Sequence, residues 1–277
     1  MQVPVVPYAF IGGSGTFSLR FPEDLDENVE IVASDLVFKT PYGDSPRFKL
    51  VRIGGKQPKE FLTVKMHGRR WGVPWRDSAR QVFWVLREAG VKKVLSEGGV
   101  GGINHLLDTR DIVIPSDYID FSLRRDVGLD GGYLLIMREA LCPELRRQLT
   151  AAARHQTNYR VFDRGIYLVT DGHHFESRAE IAVFRQWNAD VVGQSLCPEV
   201  YLAREINACY ASLNLVVNHA EGVVRDWEHE ELKDIFFREA AAVGRIILAT
   251  LQALDLERNC SCPELRKPTL LQDESLI

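Results

Sequence analysis

Asp77-Ser78-Ala79-Arg80-Gln81-Val82-Phe83-Trp84-Val85-Leu86-Arg87-Glu88-Ala89-Gly90, followed shortly by Lys93-Val94-Leu95, is the stretch that sets the fold class. Val82, Val85, Leu86 and Ala89 recur at helical spacing, which puts an apolar stripe on a helix over 77–89, and Gly90 is a suitable stop. The short apolar run after it reads as a buried strand. The same alternation extends outward in both directions. Further strands are predicted at 8–11, 61–65, 112–114, 165–169, 190–192 and 213–217. Further helices are predicted at 144–157, 177–187 and 199–208, the last behind Pro198, which suits a first turn. A long amphipathic helix over 228–254, with Leu232, Ile235, Phe236, Ala240 and Val243 on one side, is expected to cover one face of the sheet. The pattern is that of an α/β fold with a largely buried sheet. No repeat, low-complexity run or linker interrupts it, so one domain over 1–277 is expected, with 263–277 as an irregular polar tail.

The chain has 277 residues, 45% hydrophobic and 26% charged, enough to bury a substantial core. A net charge of −4 with both signs well mixed leaves no electrostatic footprint of a nucleic-acid binder. No apolar run approaches the roughly 20 residues that span a bilayer. Residues 1–10 are apolar but lack a basic leader and a small-residue cleavage site, so a cytoplasmic protein without membrane contact is expected. The cysteines are Cys142, Cys197, Cys209, Cys260 and Cys262, an odd set that argues against a secreted disulfide framework. Cys260-Ser261-Cys262 offers two thiolates, but no histidine lies close in sequence to complete a zinc site. They are read as ordinary thiols, and no metal is expected.

Four segments carry residues suited to chemistry. Ile11-Gly12-Gly13-Ser14-Gly15 follows the first strand, and its glycines can aim backbone N–H groups at an anion. It is neither a P-loop nor a dinucleotide fingerprint, and a plain turn accounts for it equally well. Met66-His67-Gly68-Arg69-Arg70 reads as an oxyanion clamp or as a solvated basic turn. Gly98-Gly99-Val100-Gly101-Gly102 admits close approach of another backbone or a flat ligand, with a tight crossover as the competing explanation. The fourth segment is the longest. It runs Gly172-His173-His174-Phe175-Glu176-Ser177-Arg178-Ala179-Glu180, then Gln194-Ser195, Pro198-Glu199 and Asn218-His219-Ala220. Taken alone, Glu199 is a first-turn charge favoured by the helix dipole, and the paired histidines are surface residues.

At these residues the chain resembles methylthioadenosine phosphorylases and the related trimeric purine nucleoside phosphorylases. The resemblance rests on Ile11–Gly15, Thr40-Pro41-Tyr42-Gly43, His67-Gly68-Arg69, Asp111-Ile112-Val113-Ile114-Pro115, residues 175–180, 190–193 and 198–205, and Cys209-Tyr210-Ala211-Ser212. It reaches Cys260-Ser261-Cys262, similar to a cysteine pair of some members. The resemblance implies a single domain with a central mixed, partly barrel-like sheet flanked by helices, assembled as a homotrimer with sites near subunit contacts. It implies cleavage of a purine nucleoside, including 5′-modified ones, with inorganic phosphate as co-substrate and no cofactor. Ser14, His67, Arg69, Gly99 and Ser195 would surround phosphate, with His67, Ser195 and Asn218 serving catalysis. Phe175 would stack on the purine, Gln194 would sit beside the ribose, Asn218 would face N7 and the 6-substituent, and Ala220 would line the base pocket. A phosphate-independent nucleosidase and a non-catalytic nucleoside binder are the alternatives on the same fold.

Three departures stand out. Met66 replaces an arginine usual in the methylthioadenosine group, and Trp71 a histidine. His173-His174 replaces Pro-Arg before Phe175, and Gln194 replaces a methionine. Leu134 aligns with a histidine expected near the nucleoside 5′ end, so an unusual 5′ group is implied.

Overall fold

The computed structural model describes residues 2–25, 28–55, 57–124, 126–129 and 131–269. Its elements run β1 (Tyr8–Ile11), β2 (Val29–Leu36), β3 (Lys39–Thr40), β4 (Gly43–Asp44), β5 (Phe48–Ile53), β6 (Lys59–Val64), α1 (Trp75–Glu88), β7 (Lys93–Gly102), β8 (Ile112–Val113), β9 (Asp117–Asp120) and β10 (Tyr133–Leu135). The chain continues through α2 (Pro143–Gln156), β11 (Val161–Phe162), β12 (Ile166–Val169), α3 (Arg178–Gln186), β13 (Val191–Gly193), α4 (Leu196–Glu205), β14 (Cys209–His219), α5 (His229–Ala253) and β15 (Arg266–Pro268). Short 3₁₀ turns cover Met66–Gly68 and Cys262–Leu265.

An 11-stranded mixed sheet carries the fold, in the order β11-β8-β14-β7-β1-β6-β5-β2, with β13, β12 and β9 branching from β7. The branch positions the cavity. β14 lies parallel to β7 from Lys93 to Gly102 and so occupies one whole edge. On the other edge β1 pairs only with Lys93–Ser96, and β13 pairs antiparallel only with Gly101 and Gly102. Between them, residues 97–100 of β7 have no strand beside them, and the sheet opens into a cleft.

The central strands are buried on both faces, which is why they read as unbroken apolar runs. Successive side chains alternate: Ala9 and Ile11 pack with Val82, Val85 and Leu86 of α1, whereas Tyr8 and Phe10 pack on the side of α2 and α5. α5 presents Ile235, Val243, Ile246, Ile247 and Leu251 to that second face. The expected fold class is thus borne out. The structure adds to or corrects the sequence reading in three places. The glycines at 98–102 take the close approach of another backbone, since β14 supplies ladder partners along their whole length. The 263–277 tail is regular in part: Arg266–Pro268 pairs antiparallel with Tyr133–Leu135, while 270–277 lie outside the described residues. The β2–β5 hairpin pair was missed, because β2 alternates between half-buried and exposed side chains at the sheet margin and offers no apolar run.

Candidate active site

The cleft is a cavity of about 230 Å³, and it gathers all of the residues singled out above: Ser14, His67, Arg69, Gly99, Phe175, Gln194, Ser195, Asn218 and Ala220. They arrive from six separate stretches of chain and line one cavity along β7.

The glycine loop after β1 is organised from within. Glu97 of β7 is fully buried, and its carboxylate accepts from Gly13 N (2.5 Å), Gly15 N (2.9 Å), Thr16 N (3.0 Å) and Thr16 Oγ1 (2.7 Å). The loop therefore does aim its N–H groups at an anion, but that anion is a side chain of the protein itself. Burial pushes the Glu97 pKa up, while these donors and His67 act to hold it down. What the loop offers a ligand is Ser14, whose Oγ accepts from Gly99 N at 2.9 Å and stands at the cleft. Gly99 has to be glycine here: a Cβ would lie 2.7 Å from the Phe236 ring and 3.0 Å from Ser14 Oγ.

His67 sits in a left-handed turn in which Met66, His67 and Gly68 have φ of +50°, +53° and +73°. A non-glycine residue held there costs about 1–3 kcal/mol, and such strain concentrates where a side chain must be aimed. The aim is fixed by Glu199, whose Oε1 lies 2.8 Å from His67 Nδ1, both groups buried. Tyr210 OH donates to the other Glu199 oxygen at 2.8 Å and stands 2.7 Å from Ser96 Oγ. Nε2 is left facing the cleft beside Gly13 and Gly98. Burial works to lower the His67 pKa, but the Glu199 charge and hydrogen bond, with Glu97 behind them, outweigh it and the net shift is upward.

Arg69 supplies a second positive group. Its guanidinium lies 4.2 Å from the centre of the Trp75 ring, and Arg124 lies 5.1 Å from the same ring. Burial and then Arg124 both lower the Arg69 pKa. Among the described residues Arg69 has no carboxylate partner, so this end of the cleft favours an anion. Ser195 precedes α4 yet its hydroxyl caps no helix N–H, and a Cβ on Gly98 would lie 3.4 Å from it.

The other end is built on Gly101. Asn218 is 3% exposed, and its Nδ2 donates to the His219 carbonyl at 2.8 Å, which fixes the amide orientation. Its Oδ1 is buried without a partner among the described residues. Phe175 is half-exposed and packs against Trp227, ring centres 4.8 Å apart. Gln194 is held by the His174 carbonyl (3.3 Å), and Ala220 closes the wall beside Gly101.

The family model described as "Phosphorylase superfamily" matches residues 7–252. The chain belongs to this superfamily. It is 30% identical to the 6-oxopurine nucleoside phosphorylase of Pyrococcus furiosus, over 94% of this chain and 97% of that one. It is also 30% identical to the S-methyl-5′-thioadenosine phosphorylase of the same organism, over 93% of this chain and 96% of that one. A crystal structure of methylthioadenosine phosphorylase from an antarctic soil metagenomic library shares the fold, with TM-score 0.79 at 24% identity over 94% of this chain and 91% of that one.

Within this phosphorylase superfamily chain, several residues in the cleft wall or buried behind it escaped the sequence reading. Glu97 follows an apolar strand and gave no signal, because its partners are backbone groups 81–84 residues away. Glu199 looked like a first-turn charge; only the fold sets it against His67. Trp227, Leu232 and Phe236 line the cleft from the start of α5, which looked like a plain covering helix. Leu134 lies on β10 opposite Lys267, half-exposed and away from the cleft, and Trp71 is fully exposed. His173 and His174 are at the surface, as expected.

Proposed function

We propose that the chain cleaves the N-glycosidic bond of a purine nucleoside with inorganic phosphate, giving free purine and ribose 1-phosphate. The observation that carries this reading is the spacing along β7. His67, Ser14 and Ser195 meet at Gly98 and Gly99, and Asn218 meets Gly101. Two to three strand residues span roughly 7–10 Å, room for a ribose between an anion and a base.

Phosphate would lie among Ser14, His67, Arg69, Gly99 and Ser195. Its negative charge stabilises the positive charge that builds on the sugar as the bond to the base breaks, and one of its oxygens then bonds C1′. The electrons of the broken bond leave on the purine. Asn218 retains Oδ1 and a second amide hydrogen, so it can donate to N7 while accepting from a 6-amino group, or accept from N7–H while donating to a 6-oxo group. Phe175 and Ala220 would bound the base and Gln194 the ribose. The cleft calls for no cofactor in this chemistry. We extend the reading to one domain acting as a homotrimer in the cytosol, as the family resemblance implies. The exposed Phe121 and Trp187, their rings 5.6 Å apart, with the exposed Leu123 and Val183 close to them in the chain, supply an apolar face for subunit contact, and sedimentation of the intact protein tests it. No helix among the described residues is long and apolar enough to cross a membrane.

Base release from adenosine, inosine, guanosine and 5′-modified analogues, measured with and without phosphate, tests the reaction. Ribose 1-phosphate is expected as a product, and Ser195→Ala should lower its formation by about 10–100-fold through loss of a hydrogen bond to a charged group. Full-rate release without phosphate would establish the nucleosidase instead, and tight nucleoside binding without turnover the non-catalytic binder.

The raised pKa of His67 adds a pH dependence. The imidazolium persists above the pH at which a free histidine loses its proton, so its help in anion binding is complete at low pH and fades as pH climbs through the raised value. KM for phosphate is expected to rise along that alkaline limb, and His67→Gln should flatten it. An identical limb in the variant would remove His67 from the anion site.

A further inference from the structure

Far from the cleft in sequence, four cysteines converge. The sulfurs of Cys142, Cys209, Cys260 and Cys262 all lie within 4.8 Å of one another, and Cys209 Sγ is 3.5 Å from Cys260 Sγ. Cys142, Cys209 and Cys262 are buried and Cys260 is half-buried. They come from three elements: the residue before α2, the first residue of β14, and the segment that follows α5. We propose that these four cysteines form a structural binding site for a thiophilic divalent cation, zinc in the first instance.

Four thiolates about 2.3 Å from a zinc ion form a tetrahedron with edges of about 3.8 Å. The cluster is already close to that size, so small rotations of the side chains complete it. Its ligand set is all sulfur, which selects zinc over the harder magnesium or calcium. The sequence offered only Cys260 and Cys262 as a local pair; the fold brings Cys142 and Cys209 beside them.

The surroundings suit a negatively charged metal centre. The first turn of α2 begins at Pro143, directly after Cys142, so the positive end of the helix dipole lies beside that sulfur. The buried Arg204 donates to the Cys262 carbonyl at 2.9 Å and to the Glu139 carbonyl at 2.8 Å, placing a guanidinium charge beside the cluster. Metal binding displaces the thiol protons to solvent, and affinity rises with pH. The ion would pin the chain after α5 to α2 and β14. That segment leads directly into β15, which pairs with β10.

The full chain, purified with reductant and without chelator, is expected to carry one zinc per chain by elemental mass spectrometry. Chelated and titrated with Co²⁺, it should show thiolate-to-cobalt charge transfer and the strong visible bands of a tetrahedral sulfur site, saturating at one equivalent and erased by Zn²⁺. Cys260→Ser, at the half-buried ligand, should weaken Co²⁺ binding by more than about 100-fold, beyond what loss of an outer-shell partner costs. Zinc should raise Tm by several degrees in the wild type and not in Cys260→Ser, with base release confirming that the variant is folded. A reduced chain that binds no Co²⁺, or a cobalt spectrum unchanged in Cys260→Ser, overturns the proposal. So does a mass short by four hydrogens in protein purified under the same reductant, which would mark two disulfides in place of a metal site.

Discussion

Replacing Asn218 with alanine is expected to lower kcat/KM for nucleoside cleavage by about 10²–10³-fold, the loss typical of removing one fixed hydrogen bond at a developing charge. Such a large effect follows from where the amide sits. Asn218 is almost fully buried, its orientation is set by the His219 carbonyl, and Oδ1 has no partner among the described residues. A buried acceptor left unmet costs roughly 1–3 kcal/mol, and a ligand donor that satisfies it recovers that cost only when bound. The donation from Nδ2 to N7 strengthens as electrons move onto the base, so kcat should fall along with kcat/KM. Tm should change little, because the alanine leaves a pocket that faces the cleft rather than the core. A loss of less than about threefold would show that the base is held elsewhere, and the assignment of this end of the cleft would fail.

Replacing Glu97 should produce the second large effect, this time on stability. Its carboxylate satisfies three backbone N–H groups and a hydroxyl in the loop of Gly13, Gly15 and Thr16. Glu97→Ala would leave those donors buried and unmatched, at a cost on the order of 3–5 kcal/mol. In a chain of this length that lowers Tm by roughly 10 °C. Glu97→Gln should fall between, since its oxygen can still serve the Gly13 and Thr16 donors while its amide nitrogen confronts the Gly15 N–H. Ser14 belongs to the same loop, so KM for phosphate should rise in both variants even where they remain folded. Calorimetric unfolding and phosphate titration check the two halves separately. If both variants unfold within about 1 kcal/mol of wild type, Glu97 does not build the loop.

The two predictions draw on different levels of legibility. Asn218 was accessible from the sequence because its neighbours match a family pattern, and all the other residues proposed there also line the cleft. Glu97 was not. A single glutamate after an apolar strand carries no periodic or motif signal, and its partners are main-chain groups, which any sequence supplies. Glu199 had a local explanation, the helix dipole, that concealed its contact with His67. The glycines of β7 were similarly ambiguous: glycine permits a turn and also a close approach, and only β14 alongside decides for strand.

By itself, the sequence determined the α/β class, the helices and central strands, and the family to which the site belongs. These are properties of short-range periodicity and of residues in order along the chain. The tertiary structure decided which edge of β7 stays open, which carboxylate orders the glycine loop, which acid aims His67, and that the sulfurs of four cysteines from three elements lie within 4.8 Å of one another. Each of these is a contact between groups tens of residues or more apart, fixed by packing and by the need to satisfy buried polar atoms, and no local pattern records it.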